Sequence, residues 1–180
     1  IIYPEEKSHV VLRDQDMELW VGTEGGLRRY DRNLKLKHIY TVNDDTQKSI
    51  TNNFTTAIYE DADGVFWIGT MGGLHRFDKR TGQFELIKRQ DMAYGDPIFG
   101  ICKDKRETLW MSTTSGILKY DMETGSFHIY NESDGLQSND FQLRAFFEAD
   151  DGELFFGGKD GFNSFYPEKL KVNSLEPPVV

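Results

Sequence analysis

Thirty of the 180 side chains are Asp or Glu and four are His, so acid–base and metal chemistry come first. The stretch "DADG" at Asp61 to Gly64 resembles the opening of a calcium loop, and "DQDM" and "DDG" are of the same kind. Calcium takes about six to eight oxygens, including a late bidentate carboxylate. The "VFWIG" that follows Asp63 offers no further oxygen ligand. A strand-to-strand turn needs the same residues, because Asp accepts local backbone hydrogen bonds and Gly permits the bulge. Glycoside hydrolysis needs two carboxylates ~5–10 Å apart. Asp14, Asp61 and Asp104 recur with one period, as do Asp31, Asp78 and Asp121, which assigns them to turns and strand ends. His9, His38, His75 and His128 show no ligand spacing, His75 falls at an ordinary strand position, and no "GxSxG" nucleophile motif occurs. The expectation is no catalytic pair, no metal set and no cofactor; an enzyme is the minority reading.

Residues that escape the period are better candidates for ligand contact, because loops carry function on a rigid scaffold. Three connections differ strongly: Thr41 to Asn53, Gln90 to Pro97 and Asn131 to Asp140. Within or beside them, Asn52, Asn53, Tyr94, Asn139, Asp140 and Arg144 offer amide, carboxylate, guanidinium and aromatic groups suited to a sugar. The alternative is that these loops are solvated and their Asn and Asp residues cap turns.

The elements that must hold these loops are repeated. "ELWVGTEGGLRRYD", "GVFWIGTMGGLHRFD", "TLWMSTTSGILKYD" and "ELFFGGKDGFNSFY" share one outline, and Trp20, Trp67, Trp110 and Phe155 stand 47, 43 and 45 residues apart. In the second copy "FTTAIYED", "VFWIGT", "GLHRFD" and "QFELIK" read as four short strands joined by tight turns. The second strand is apolar on both faces, which belongs where a sheet is covered on both sides. Such a sheet repeated about every 45 residues is a propeller blade. Six residues after each anchor stands Gly26, Gly73, Gly116 or Gly161, read as a hairpin residue at positive φ. Four further on stands Tyr30, Phe77, Tyr120 or Phe165, read as packing between blades. The fold class is all-β, a β-propeller of four blades of four-stranded antiparallel meanders forming part of a larger propeller. The blades fall at about 8–50, 51–95, 96–135 and 136–170, with 171–180 a linker. Two blade faces of a four-blade arc stay uncovered, and burying each is worth on the order of 10 kcal/mol. Another copy or further blades should cover them. The first and last residues, "IIYPEEKSHV" and "LEPPVV", read as cut points of an excised piece.

A net charge of −9 argues against a nucleic-acid backbone or an anionic membrane as partner. Cys102, the single cysteine, sits in the apolar run "PIFGICKD" and reads as a buried small side chain.

The pattern "EDADGVFWIGTMGGLHRFD" resembles the two-component-regulator propeller repeat of extracytoplasmic sensor regions in hybrid two-component proteins of gut Bacteroidetes. The resemblance runs from Ser8 to about Pro167, and the last copy, from "GLQSNDFQLRAFFEADDGELFFGGKDGFNSFYPEKL", is similar to that family's final blade. The tail "PPVV" is similar to the start of the immunoglobulin-like β-sandwich that follows such propellers. The resemblance implies a periplasmic piece of an inner-membrane-anchored sensor, with a histidine kinase elsewhere in the chain. It implies an oligosaccharide ligand, a homodimer, and the remaining blades and sandwich of the same chain as partners. Two departures stand out: only four blades are present, and the third copy has Ser112-Thr113 where the pattern has "GT". A structural or dimerisation propeller without a small-molecule site is the alternative, with a carbohydrate-active propeller enzyme third.

Overall fold

Each copy of the repeat folds into its own antiparallel sheet, with strands side by side in chain order. The structure is a computed structural model and describes residues 6–43, 49–88 and 95–170. The first sheet holds β1 (Ser8–Arg13), β2 (Leu19–Thr23), β3 (Gly26–Tyr30) and β4 (Leu36–Tyr40). The second holds β5 (Thr55–Glu60), β6 (Val65–Thr70), β7 (Gly73–Asp78) and β8 (Gln83–Ile87). The third holds β9 (Gly100–Lys103), β10 (Thr108–Ser112), β11 (Ile117–Asp121) and β12 (Phe127–Tyr130). The fourth has three strands among the described residues: β13 (Phe141–Glu148), β14 (Leu154–Gly158) and β15 (Gly161–Phe165). The first strands of successive sheets lie against one another and the sheets stack face to face, so the chain is a β-propeller of four blades.

The second strands are the buried ones. Phe66 to Thr70 are all buried, as are Thr108 to Ser112, as expected of strands covered on both faces. At each junction the tryptophan of one blade meets the aromatic residue at the end of the next blade's third strand. Ring centroids are 5.5 Å apart for Trp20 and Phe77, 5.8 Å for Trp67 and Tyr120, and 5.1 Å for Trp110 and Phe165. The three indoles are 0%, 4% and 2% exposed. The recurrent aromatic position therefore does pack between blades.

The recurrent glycines sit at φ 131°, 120°, 130° and 128°, a region costly for any residue with a Cβ. A Cβ on Gly26 would stand 2.4 Å from the Tyr40 carbonyl oxygen, and one on Gly116 only 2.1 Å from that of Tyr130. The Ser112 departure has a packing reason. Gly22 and Gly69 pair with Val10 and Ala57 on the first strands, whereas Ser112 pairs with Gly100. A Cβ on Gly22 would lie 2.6 Å from a Val10 methyl, so only one member of the pair carries bulk, and the third blade swaps which one. Cys102 is 1% exposed, and burial pushes its thiol up to about 12, which keeps it protonated and inert.

Candidate functional site

A meander blade has two ends. One gathers the β1–β2-type and β3–β4-type turns, the other the β2–β3-type turns and the connections between blades.

At the first end the recurrent carboxylates are structural. Asp14, Asp61 and Asp104 accept the indole N–H of Trp20, Trp67 and Trp110 at 2.8, 2.9 and 2.8 Å. Their other oxygens take backbone N–H groups of the same turns, from Glu18, Ala62, and Arg106 with Thr108. Two are also bridged from the next blade: Lys79 reaches Asp14, Asp16 and Glu18, and Lys103 reaches Asp61 and Glu107. Burial pushes the Asp14 and Asp61 carboxyls up, yet these ammonium and indole donors outweigh it and hold both below the usual range. Glu18, also bonded by Lys37 and Arg29, is driven to about 2. "DADG" is thus a turn in which donors occupy both Asp61 carboxylate oxygens. The fourth blade loses both partners together, with Ala149 in the aspartate's place and Phe155 in the tryptophan's.

At the second end lie the residues expected to meet ligand. The Asn52 side-chain oxygen accepts the Phe54 N–H at 2.9 Å, and that of Asn53 accepts the Val42 N–H at 2.8 Å. The Asn139 oxygen accepts the Glu132 N–H at 2.9 Å, and Asp140 keeps an exposed carboxylate while its carbonyl takes the Lys159 N–H. Backbone N–H groups thus occupy the three amide oxygens, while the Asn residues are half-buried and Asp140 is exposed. Tyr94 lies outside the described residues. Among the described residues no hydrogen bond or ion pair joins Asn52, Asn53, Asn139 and Asp140 to one another.

Arg144 is brought to a partner that the sequence did not single out. Its guanidinium Nη2 stands 2.8 Å from Nδ1 of His9, joining the first strands of the fourth and first blades. A guanidinium only donates, so Nδ1 accepts and the neutral ring carries its hydrogen on Nε2. Nε2 faces Glu24 Oε1 at 3.7 Å, and the ring lies 4.3 Å from that of Phe54. Burial lowers the His9 pKa, the Arg144 charge lowers it further, and Glu24 opposes them. Arg144 itself is exposed and holds φ 67°, where a residue with a Cβ is strained. The β13–β14 register slips between Phe141 and Phe146, around this residue. A smaller slip, of one residue, occurs between Ser8 and Val10 and between Thr55 and Ala57, so His9 and Thr56 stand at the repeat position that Arg144 occupies in the fourth blade. Aligning the first strands on their second-strand glycines would have marked all three. Thr56 uses the position to bond the Ile98 carbonyl of the next blade's entry.

Residues 49–72 match the family described as "Two component regulator propeller". No curated protein matches the chain. Among solved structures, the extracellular domain of BT3049, described as a hybrid two component system of B. thetaiotaomicron, is similar at 25% identity with a TM-score of 0.75. The match covers 91% of this chain and 24% of that one. The corresponding domain of BT4673 from the same organism matches at 22% identity and a TM-score of 0.72, over 92% of this chain and 23% of that one. This chain thus spans about a quarter of the length of those domains. A virginiamycin B lyase of Staphylococcus aureus matches at 15% identity and a TM-score of 0.64, covering 92% of this chain and 57% of that one. That likeness is one of fold alone. The two more similar structures are extracellular domains of two-component systems. Among the described residues no helix is long and apolar enough to cross a membrane.

Proposed function

We propose that this two-component-regulator propeller region is a ligand-sensing segment of an extracytoplasmic sensor, that its ligand is an oligosaccharide, and that the bound state passes to a histidine kinase across the membrane. The observation that carries the reading is Arg144. It is a strained, exposed guanidinium held by a buried histidine at the end where the blade connections gather. Strain of this kind persists where surrounding structure over-determines it and is concentrated at binding sites. Arg144 and the amides of Asn52, Asn53 and Asn139 would meet sugar hydroxyl or carboxylate groups, with Tyr94 as stacking partner and Asp140 as acceptor. The relatives' extracellular setting supports a periplasmic location in an inner-membrane-anchored protein, with further blades, a β-sandwich and a homodimer as context. Transmission requires that ligand bind one arrangement of the assembly better than another, since affinity alone shifts nothing.

Calorimetric titration of the complete extracytoplasmic region with neutral and acidic oligosaccharides tests this. Saturable binding weakened tenfold or more by Arg144→Ala supports it, and binding unchanged by Arg144→Ala removes the site. No binding by any oligosaccharide leaves the interaction reading. One observation favours that second reading: Phe147 and Phe162, on the fourth blade, are 63% and 64% exposed.

A further inference from the structure

Four non-glycine residues among those described stand at positive φ, and three of them close turns. Met17, Leu34 and Glu107 each donate their N–H to the carbonyl of the aspartate that opens the turn, Asp14, Asp31 and Asp104. The fourth is Arg144, and it lies within a strand. Around it the register passes from Phe141 opposite Gly158 to Phe146 opposite Phe156, so residues 142–145 face Gly157 alone. The Arg144 N–H reaches the Phe99 carbonyl of the third blade at 3.5 Å, while its guanidinium reaches His9 of the first. The first two blades consume this repeat position inside the fold: His9 is 8% exposed and Thr56 is fully buried. Arg144 is exposed.

The partner of Arg144 fixes its position and leaves its charge open. Arg28 and Arg29 close on carboxylates, Glu6 at 2.7 Å and Glu18 at 2.6 Å. Arg144 closes on a neutral ring, and among the described residues no carboxylate forms an ion pair with it. Glu24 lies on the far side of that ring, 3.7 Å from Nε2, and is itself approached by Lys7 at 3.8 Å. Nε2 is buried without a hydrogen-bond partner. The ring is thus fixed by its packing on Phe54, and its one hydrogen bond goes to Arg144. Donation to neutral hydroxyls does not require a guanidinium to go without a counter-charge. Strain and an open charge at one residue are explained together by a ligand that brings the negative charge itself.

We propose that the ligand of this segment is an oligosaccharide carrying an anionic group, a uronate carboxylate or a sulfate ester, and that Arg144 selects it. His9 is the positioning residue that holds the guanidinium without neutralising it. The planar N–H fork matches two oxygens of either group. This inference rests on the sensing reading above.

The complete extracytoplasmic region is titrated calorimetrically with tetrasaccharides of galacturonan, hyaluronan, heparin and chondroitin sulfate, and with their carboxyl-reduced and desulfated counterparts. Saturable binding of an anionic tetrasaccharide should fall about tenfold or more when its charged group is removed, and Arg144→Gln should erase that difference. Which removal weakens binding, that of carboxylate or of sulfate, identifies the anion. His9→Phe should weaken the anionic tetrasaccharide and leave its neutral counterpart unchanged. His9→Gln, which keeps an acceptor for the guanidinium, should restore the affinity, a pattern that lost packing alone does not give. Arg144 is exposed, so Arg144→Gln decides the matter even where a change at the buried His9 prevents folding. Neutral tetrasaccharides that bind as tightly as their charged parents, through Arg144, overturn the anionic ligand and leave the sensing reading standing. A charge preference that survives Arg144→Gln overturns the selecting role of Arg144. Absence of binding by every tetrasaccharide overturns both this inference and the sensing reading.

Discussion

Trp110 and Phe155 hold the same place in consecutive blades and meet different surroundings. Trp110 is sealed by the fourth blade, bonded to Asp104 and stacked on Tyr130 at 5.6 Å. Phe155 is half-buried, and among the described residues the rings near it are its own blade's Phe147 and Phe162, at 6.1 and 6.2 Å. At the first two junctions one blade's second strand is covered by the next blade's third and outer strands, and at the last, among the described residues, by β15 of the fourth blade. The fourth blade presents the same kind of surface with nothing over it among the described residues. A blade of this repeat is therefore half of two junctions and not a self-sufficient unit, as stacked repeats bury their core only against neighbours.

The largest test of that contrast is truncation at the shared position. Trp110→Ala should cost about 3–5 kcal/mol of unfolding free energy, and Phe155→Ala less than about 1.5 kcal/mol, because only the first opens a sealed core. Urea denaturation of both variants compares them directly, and similar losses would break the distinction.

Next in size is a pH effect confined to the closed part. His75 is fully buried in β7, its Nε2 accepting the Thr51 N–H at 3.1 Å. Burial lowers its pKa to about 4, only partly offset by the Ile68 and Gly73 backbone. The unfolded chain then binds the extra proton between its ordinary value and the folded one. Stability should fall as pH drops from about 6.5 towards 4, by on the order of 3 kcal/mol. Chemical denaturation across this range should show the slope, and His75→Gln should flatten it.

The paired loss of Asp and Trp in the fourth blade can be copied into the third. Asp104→Ala leaves the Trp110 N–H buried without its acceptor and should cost about 1–3 kcal/mol. Combined with Trp110→Phe, the aspartate change should cost about 1 kcal/mol less than alone, a coupling that a double-mutant cycle measures. Additive losses would mean that the carboxylate matters only for the turn.

The smallest effect is expected at the open end. Tyr166→Phe removes an exposed hydroxyl bond and should change stability by less than about 0.5 kcal/mol. A larger loss would show that the Tyr166–Asp151 tie supports the whole fourth blade.

Much of this architecture was legible in the sequence, because a repeat states the same physical requirement four times. The positive-φ glycines and the junction aromatics recur at fixed distances from the anchor, so their roles could be assigned from spacing. The Asp–Trp bond was hidden although both residues recur six apart, since a turn explains the aspartate without the indole. Ala149 beside Phe155 was the visible clue, a donor and an acceptor lost together. The Ser112–Gly100 swap lies across a strand pair and needed the register. Arg144 was picked out for its loop-side position, while His9 was missed because it reads as an ordinary strand residue. The two meet only when the first and fourth blades are brought round to face each other.

Amide hydrogen exchange of the 180-residue chain, resolved by residue, tests the contrast between closed and open blades most directly. Among the described residues no strand pairs with the outer edge of β15, so the account predicts that β15 amides pointing away from β14 exchange at least tenfold faster than those by which β11 and β12 are joined, because an unpaired edge opens below the global unfolding limit. Equal protection of β15 and β11 would contradict it, since the fourth blade would then be as closed as the other three.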